Sequence, residues 1–262
     1  MQDILTDYFM EDILKKDGGF EYVEVGEGPV VVVLHGLFGA LSNFKDVLDH
    51  FQSNYRVVIP IMPLYTLPVL NTNVKSLMKH IRDFIEYKGF DKVNLLGNSL
   101  GGHVALVYAA KYPEKVDTLT LTGSSGLYEN TMGQSYPRKG NIDYVRERVQ
   151  YTFYDPKTAT DELVDECFAI VNDRMKTLKI LSLAKSAIRH NMAEDLPNMK
   201  MDTCLIWGKQ DNITPPEVGE EFNKLMPNSE LFWMDKCGHA PMMEKPEEFN
   251  GIYEAWLNKT LK

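Results

Sequence analysis

The strongest chemical signal in the chain is Gly97-Asn98-Ser99-Leu100-Gly101, followed by Gly102. A strand pattern, Lys92 to Leu96, runs directly into it, and a helical pattern, Leu100 to Tyr112, leaves from it. A serine in so sharp a strand-to-helix turn is forced into strained backbone angles, so small residues must stand two positions away on each side. The turn presents Oγ above the sheet at a helix N-terminus, where the helix dipole favours developing negative charge. Ser99 therefore reads as a nucleophile; the alternative is an ordinary glycine-rich loop.

A serine hydroxyl is nearly unreactive at neutral pH and needs a base. Six histidines are available. His50 and His80 sit on expected surface helices among charged neighbours, His103 follows the elbow as a packed core residue, and His190 lies where no strand positions it. His239 differs. Cys237-Gly238-His239-Ala240-Pro241 directly follows the last strand pattern, and its glycine and proline suit a tight, rigid loop. The imidazole in turn needs a carboxylate to fix its tautomer. Asp211, closing Trp207-Gly208-Lys209-Gln210-Asp211, stands immediately after another strand pattern. Asp235, four residues before His239, and Glu129, after the preceding strand, are its competitors. The chain order Ser99, Asp211, His239 favours Asp211.

The elements that must position these residues alternate. Phe20 to Val25, Val30 to Leu34, Arg56 to Ile61, Lys92 to Leu96 and Val116 to Leu121 read as strands. Val74, Leu77, Met78, Ile81, Phe84 and Ile85 recur at helical spacing, with Gly89 as the expected C-cap. Alternation of this kind predicts an α/β fold with a mostly parallel, doubly wound sheet. Between residues 124 and 197 no strand pattern appears, only helical ones, roughly Ile142 to Thr152, Asp161 to Leu178 and Lys179 to Met192. Strands then resume at Thr203 to Trp207 and Glu230 to Met234, with a helix after Pro215-Pro216 and a closing helix from Pro246. The expected organisation is a core, residues 1–123 and 198–262, with residues 124–197 as a helical cap over the sheet edge where such sheets bind ligands.

With these motifs in order, the sequence resembles the α/β-hydrolase-fold serine hydrolases over most of its length. The resemblance rests on Leu34-His35-Gly36-Leu37-Phe38-Gly39, the Ser99 elbow, the Trp207 to Asp211 segment, and Gly238-His239-Ala240-Pro241 with Glu244-Lys245-Pro246. It implies a backbone oxyanion hole from the N–H groups of Leu37 and Leu100, with His35 a structural residue. One stretch departs from the family: Pro60-Ile61-Met62-Pro63-Leu64-Tyr65-Thr66-Leu67-Pro68 replaces a glycine-rich loop that many members carry. With the cap, it is expected to set substrate choice. A serine at position 99 excludes the dehalogenases and epoxide hydrolases of this fold, which use aspartate. Cleavage of an ester or related acyl bond in a small, largely apolar substrate remains. The alternative is carbon–carbon hydrolysis of meta-cleavage dienols, also resembled through the Gly-Asn-Ser elbow. A non-enzymatic ligand-binding member of the fold is a third reading. Carbon–carbon members commonly carry tryptophan after the histidine, where this chain has Ala240, and they need a cation for the substrate's carboxylate. Arg174 and Arg189 in the insertion read instead as solvated.

Composition bounds the rest. The chain has 262 residues, 44% hydrophobic and 25% charged, enough to bury a sizeable core. With 28 Lys and Arg against 37 Asp and Glu, the net charge of -9 and the lack of a cationic cluster speak against nucleic acid as a partner. No apolar run approaches bilayer length, so a membrane is not expected either. The N-terminal MQDILTDYFMEDILKK lacks the features of a signal peptide. Three scattered cysteines, Cys167, Cys204 and Cys237, suggest reduced thiols in a cytoplasm. Neither CxxC nor HExxH occurs, so no metal or cofactor is expected, and the partner is a small-molecule substrate.

Overall fold

Val30–Leu34 is β-branched at every position but the last, and from Val31 onward it is fully buried. A strand covered on both faces belongs inside a sheet flanked by helices. In the computed structural model, which describes residues 13–39, 41–130 and 140–261, it lies near the middle of an eight-stranded sheet. The strands are β1 (Leu14–Asp17), β2 (Phe20–Val25), β3 (Val30–Leu34), β4 (Arg56–Pro60), β5 (Val93–Asn98), β6 (Val116–Thr122), β7 (Asp202–Gly208) and β8 (Ser229–Met234), ordered β1-β2-β4-β3-β5-β6-β7-β8. β4 through β8 run parallel with β3, whereas β1 and β2 pair antiparallel at one edge. The N-terminal segment read as lacking a signal peptide falls mostly outside the described residues.

Alternating strand residues feed two separate cores. Val32, Leu34, Val58, Leu95, Leu119 and Leu205 pack with α2 (Val74–Tyr87), α3 (Leu100–Lys111) and α7 (Pro216–Leu225). Val31, Val33, Val57, Ile59, Leu96 and Ile206 pack with α1 (Lys45–Phe51) and α9 (Pro246–Thr260) on the other face. Each fully buried aliphatic side chain contributes about 1.5–3 kcal/mol. The expected end of α2 is found: its Asn73 side chain accepts the Ser76 N–H at the start, and Gly89 takes φ +64° just past the end. From β3 the chain moves outward to β4, then returns across to β5. The C-terminal ends of β3 and β5 therefore lie side by side at the point where strand order reverses, the crevice where open α/β sheets bind ligands.

Helices α4 (Ile142–Tyr151), α5 (Asp161–Asn172) and α6 (Arg174–Arg189) fill the interval between β6 and β7. The break between the last two falls at Asp173, five residues earlier than the spacing suggests. Asp173 is extended (φ −83°, ψ 115°), and its carboxylate accepts the N–H groups of Met175 and Lys176. An aspartate N-cap ends one helix and begins the next where hydrophobic periodicity simply continues. Sequence patterning also gives no sign of β1 or the four-residue α8 (Pro241–Glu244). Among the described residues, no helix is long and apolar enough to cross a membrane.

Candidate active site

Ser99 occupies φ 54°, ψ −120°, a region that non-glycine residues avoid. Holding it there costs about 1–3 kcal/mol, which the surrounding packing must offset. Two elbow glycines make the turn possible. A Cβ on Gly97 would lie 2.5 Å from the Gly102 Cα, and one on Gly101 would lie 2.0 Å from the Leu34 carbonyl oxygen. The Ser99 amide donates to Thr122 O at 3.2 Å, and its carbonyl accepts from the amides of His103 and Ser125, both at 3.1 Å. The serine is thus fixed between β5, α3 and the exit of β6.

Asp211 and His239 meet beyond the ends of β7 and β8. His239 Nδ1 lies 2.9 Å from Asp211 Oδ2 and 3.1 Å from Oδ1. The other donors to this carboxylate are the amides of Ile213 at 2.8 Å and Thr214 at 3.0 Å, and the Thr214 hydroxyl at 2.8 Å. A carboxylate is acceptor-only, so Nδ1 carries the imidazole proton and Nε2 is left as the acceptor. Both side chains are almost wholly buried. Burial pulls the His239 pKa down, but the charge and hydrogen bond of Asp211, helped by Glu129 and Glu244, outweigh it, and the net shift is upward. Gly123, at φ +50° after β6, makes room for the pair: a Cβ there would lie 2.9 Å from His239 Nδ1 and 3.1 Å from Asp211 Oδ2.

Ser99 and His239 line one cavity of about 400 Å³, together with Leu37, Leu100 and Ala240. Its far wall comes from the helices between β6 and β7: Val145 and Val149 of α4, Leu163 and Val171 of α5, Ile180 of α6. The two competing carboxylates are elsewhere engaged. Asp235 is exposed and pairs with Lys209 at 3.9 Å. Glu129 lines the cavity, where burial pushes its carboxyl up, and it accepts the Ser125 hydroxyl at 2.6 Å.

The remaining histidines are occupied away from Ser99. His35 is buried; Met62 N–H donates to its Nε2 at 3.1 Å, so Nδ1 carries the proton and donates to Gly36 O at 3.0 Å. His50 is exposed and lies 3.1 Å from Glu254. His80 is half-buried against Phe20, not solvated as its helix position suggests. His103 Nε2 lies 3.0 Å from His190 Nδ1, tying α3 to the end of α6, and burial holds His103 down to about 3.

Two expectations need adjustment. No residue of the 60–68 stretch lines the cavity; Met62 braces His35 from behind, and Tyr65 O accepts from Lys179 of α6 at 2.7 Å. That stretch supports the walls and does not form them. Arg174 and Arg189 are exposed and off the cavity, in keeping with a solvated role, but Arg148 and Lys185 line it. The sequence does not single out Arg148, because only the packing of α4 reveals which of its faces turns inward. Asn98 has a signal, its place inside the elbow motif, but no role that the motif alone assigns. Its amide donates to Thr122 O at 3.0 Å and His239 O at 3.1 Å, linking the serine's strand to the histidine's loop. Among the described residues, no group of three or more His, Cys, Asp or Glu side chains could hold a metal ion.

Known proteins share this arrangement of elements. The family profile described as alpha/beta hydrolase fold matches residues 29–142 and 169–246. An alpha/beta hydrolase enzyme from the metagenome of lagoon sediments at Mar Chica, Morocco, is 47% identical in its crystal structure, with a TM-score of 0.78 over 94% of this chain and 98% of that one. The 2-hydroxy-6-oxononadienedioate/2-hydroxy-6-oxononatrienedioate hydrolase of Comamonas testosteroni is 27% identical across 87% of each chain. A monoacylglycerol lipase of Mus musculus is 26% identical over 85% of this chain and 74% of its own. The chain belongs to the α/β-hydrolase fold family, and it is a hydrolase.

Proposed function

We propose that the protein hydrolyses a carboxylic ester of a small, largely apolar molecule through an acyl-enzyme. Ser99 Oγ attacks the carbonyl carbon while its proton passes to His239 Nε2. The oxygen of the tetrahedral intermediate takes the negative charge and accepts hydrogen bonds from the Leu37 and Leu100 N–H groups, each worth about 3 kcal/mol in the transition state. Collapse expels the alcohol, which collects the proton from His239. Water, deprotonated by the same imidazole, then attacks the acyl-enzyme, releasing the acid and regenerating Ser99. Asp211 holds the imidazole and stabilises its charged form. Residues 124–197 serve as a cap over the core of residues 1–123 and 198–262, shaping the acyl pocket. Three buried, unpaired cysteines suit a reducing compartment such as the cytoplasm.

The observation that carries this reading is the His239–Asp211 pair opening, with a strained serine, onto a cavity walled by aliphatic side chains. Ala240, where a carbon–carbon hydrolase would carry a bulky ring, leaves that wall small. The test is turnover of p-nitrophenyl esters of graded acyl length, with fluorophosphonate labelling. Ser99→Ala should abolish both while leaving the melting transition in place. Retained turnover would remove Ser99 from the role.

A second reading, hydrolysis of a carbon–carbon bond in a dienol carboxylate, is favoured by the name of the Comamonas testosteroni relative and by the cations at the cavity. Arg148 has a buried Nε without a hydrogen-bond partner among the described residues, the kind of group a substrate carboxylate would satisfy. If kcat/KM for a meta-cleavage dienol exceeds that for every ester, and Arg148→Ala abolishes only the dienol activity, this second reading replaces the first.

A further inference from the structure

The Glu244-Lys245-Pro246 motif has no place in the chemistry above, yet Glu244 lies at a junction. One oxygen, Oε1, accepts the Gly238 N–H at 2.6 Å. The other, Oε2, accepts the N–H groups of Tyr154 at 2.7 Å and Asp155 at 3.2 Å. Gly238 immediately precedes His239, whereas Tyr154 and Asp155 belong to the chain leaving α4. A second bond spans the same seam, because His239 N–H donates to Thr152 O at 2.9 Å. The two segments touch so closely that a Cβ on Gly238 would lie 2.7 Å from Thr152 O and 2.9 Å from Tyr154 N. On the far side of this seam, Val145, Arg148 and Val149 of α4 form cavity wall.

From this geometry we propose that Glu244 is a positioning residue: it fastens the α4 exit to the histidine loop, so that the cavity wall and the His239 imidazole move as one unit. The inference rests on the reading of His239 as the base. The chemistry of the side chain fits the task narrowly. Donors approach both oxygens, from two different chain segments, so only an acceptor-only group with two oxygens can satisfy them. Glutamine would turn an NH2 group toward one set of N–H donors. Aspartate keeps both oxygens and the charge but is one methylene too short to reach both segments.

Three carboxylates face His239: Asp211 through its bonds, and Glu129 and Glu244 through their fields. Glu244 therefore could act on the imidazole by charge alone, and the pair of variants separates that from positioning. With an ester substrate, Glu244→Gln and Glu244→Asp should each lower kcat by about 10–100-fold, as loss of an orienting partner does elsewhere. Both should also move the acid limb of kcat/KM downward, because an imidazole no longer held against Asp211 loses its upward shift. If Glu244→Asp matches the parent protein in kcat and acid limb, the residue acts by charge and the positioning role is refuted. If both variants keep the parent kcat and acid limb per folded molecule and lose only melting temperature, the role is structural and the proposal fails. Amide exchange in the parent protein tests the clamp without any variant. Gly238, His239, Tyr154 and Asp155 should exchange as one group with a common opening rate. Exchange of Gly238 about 100-fold faster than Tyr154 would show the two segments opening separately and would overturn the clamp. Retained turnover in Ser99→Ala would sink the Ser99–His239 mechanism alone, leaving amide exchange to decide whether the clamp exists.

Discussion

In the proposed mechanism a neutral imidazole accepts the serine proton, so the protonation of His239 should set the acid side of activity. Burial disfavours the imidazolium, and the Asp211 carboxylate more than compensates, raising the pKa above 6.5. The acid limb of kcat/KM should therefore have its midpoint above 6.5. Asp211→Asn removes the charge and leaves burial in control, so the midpoint should drop below 6.5 while kcat falls by about 10⁴-fold. A midpoint that stays in place in the variant would show that Asp211 does not govern the imidazole. Thr214 explains why the carboxylate itself stays put. Its hydroxyl and amide hold one oxygen each, leaving the aspartate no alternative rotamer that keeps these bonds.

At the scale of elements, the elbow joins three strand ends through backbone so close that side chains are excluded. Gly101→Ala would drive a Cβ to 2.0 Å from the Leu34 carbonyl, on the strand that leads into the proposed oxyanion loop. The α3 start and the β3 end cannot both stay in place, so the variant should lose about 3 kcal/mol or more and most of its activity. Gly251 is the control, a glycine inside α9 where a Cβ would have nothing within 4 Å. Gly251→Ala should gain about 0.5–1 kcal/mol and leave kcat/KM unchanged. Melting curves of the two alanine variants check the pair, and equal shifts would contradict the steric account of the elbow.

At the scale of the whole molecule, one charge cluster joins the antiparallel edge to the rest. Glu24 of β2 receives Lys88 from the end of α2 at 2.9 Å, Lys15 of β1 at 3.3 Å, and Arg56 of β4 at 2.6 Å through Nε. Burial pushes its carboxyl up, but hydrogen bonds from Lys88, Arg56 and Lys15 prevail and hold it at about 2. A carboxyl depressed below its unfolded value stabilises the fold above pH 4.5 and loses that contribution as pH falls toward 2. Glu24→Gln should therefore melt several degrees below the parent protein at neutral pH, with the gap closing near pH 2. A constant gap across that window would mean that the cluster contributes packing and not charge.

The sequence by itself determined the sheet and marked the candidate residues at its strand ends. β-branched runs can be buried on both faces only between helices, glycines flanking Ser99 have few uses outside an elbow, and Ser99, Asp211 and His239 each follow a strand pattern directly. Those signals are local, because a strand, a turn and the residue after it are set by neighbours in the chain. What only the tertiary structure decided lies across long separations. Asn98 reaches His239, Glu244 reaches Tyr154, and Met62 fixes the tautomer of His35, all bonds between segments whose spacing carries no periodic signal. Arg148 entered the cavity for the same reason. The direction a side chain faces on a half-covered helix depends on what packs against it, and that partner is chosen only when the chain closes on itself.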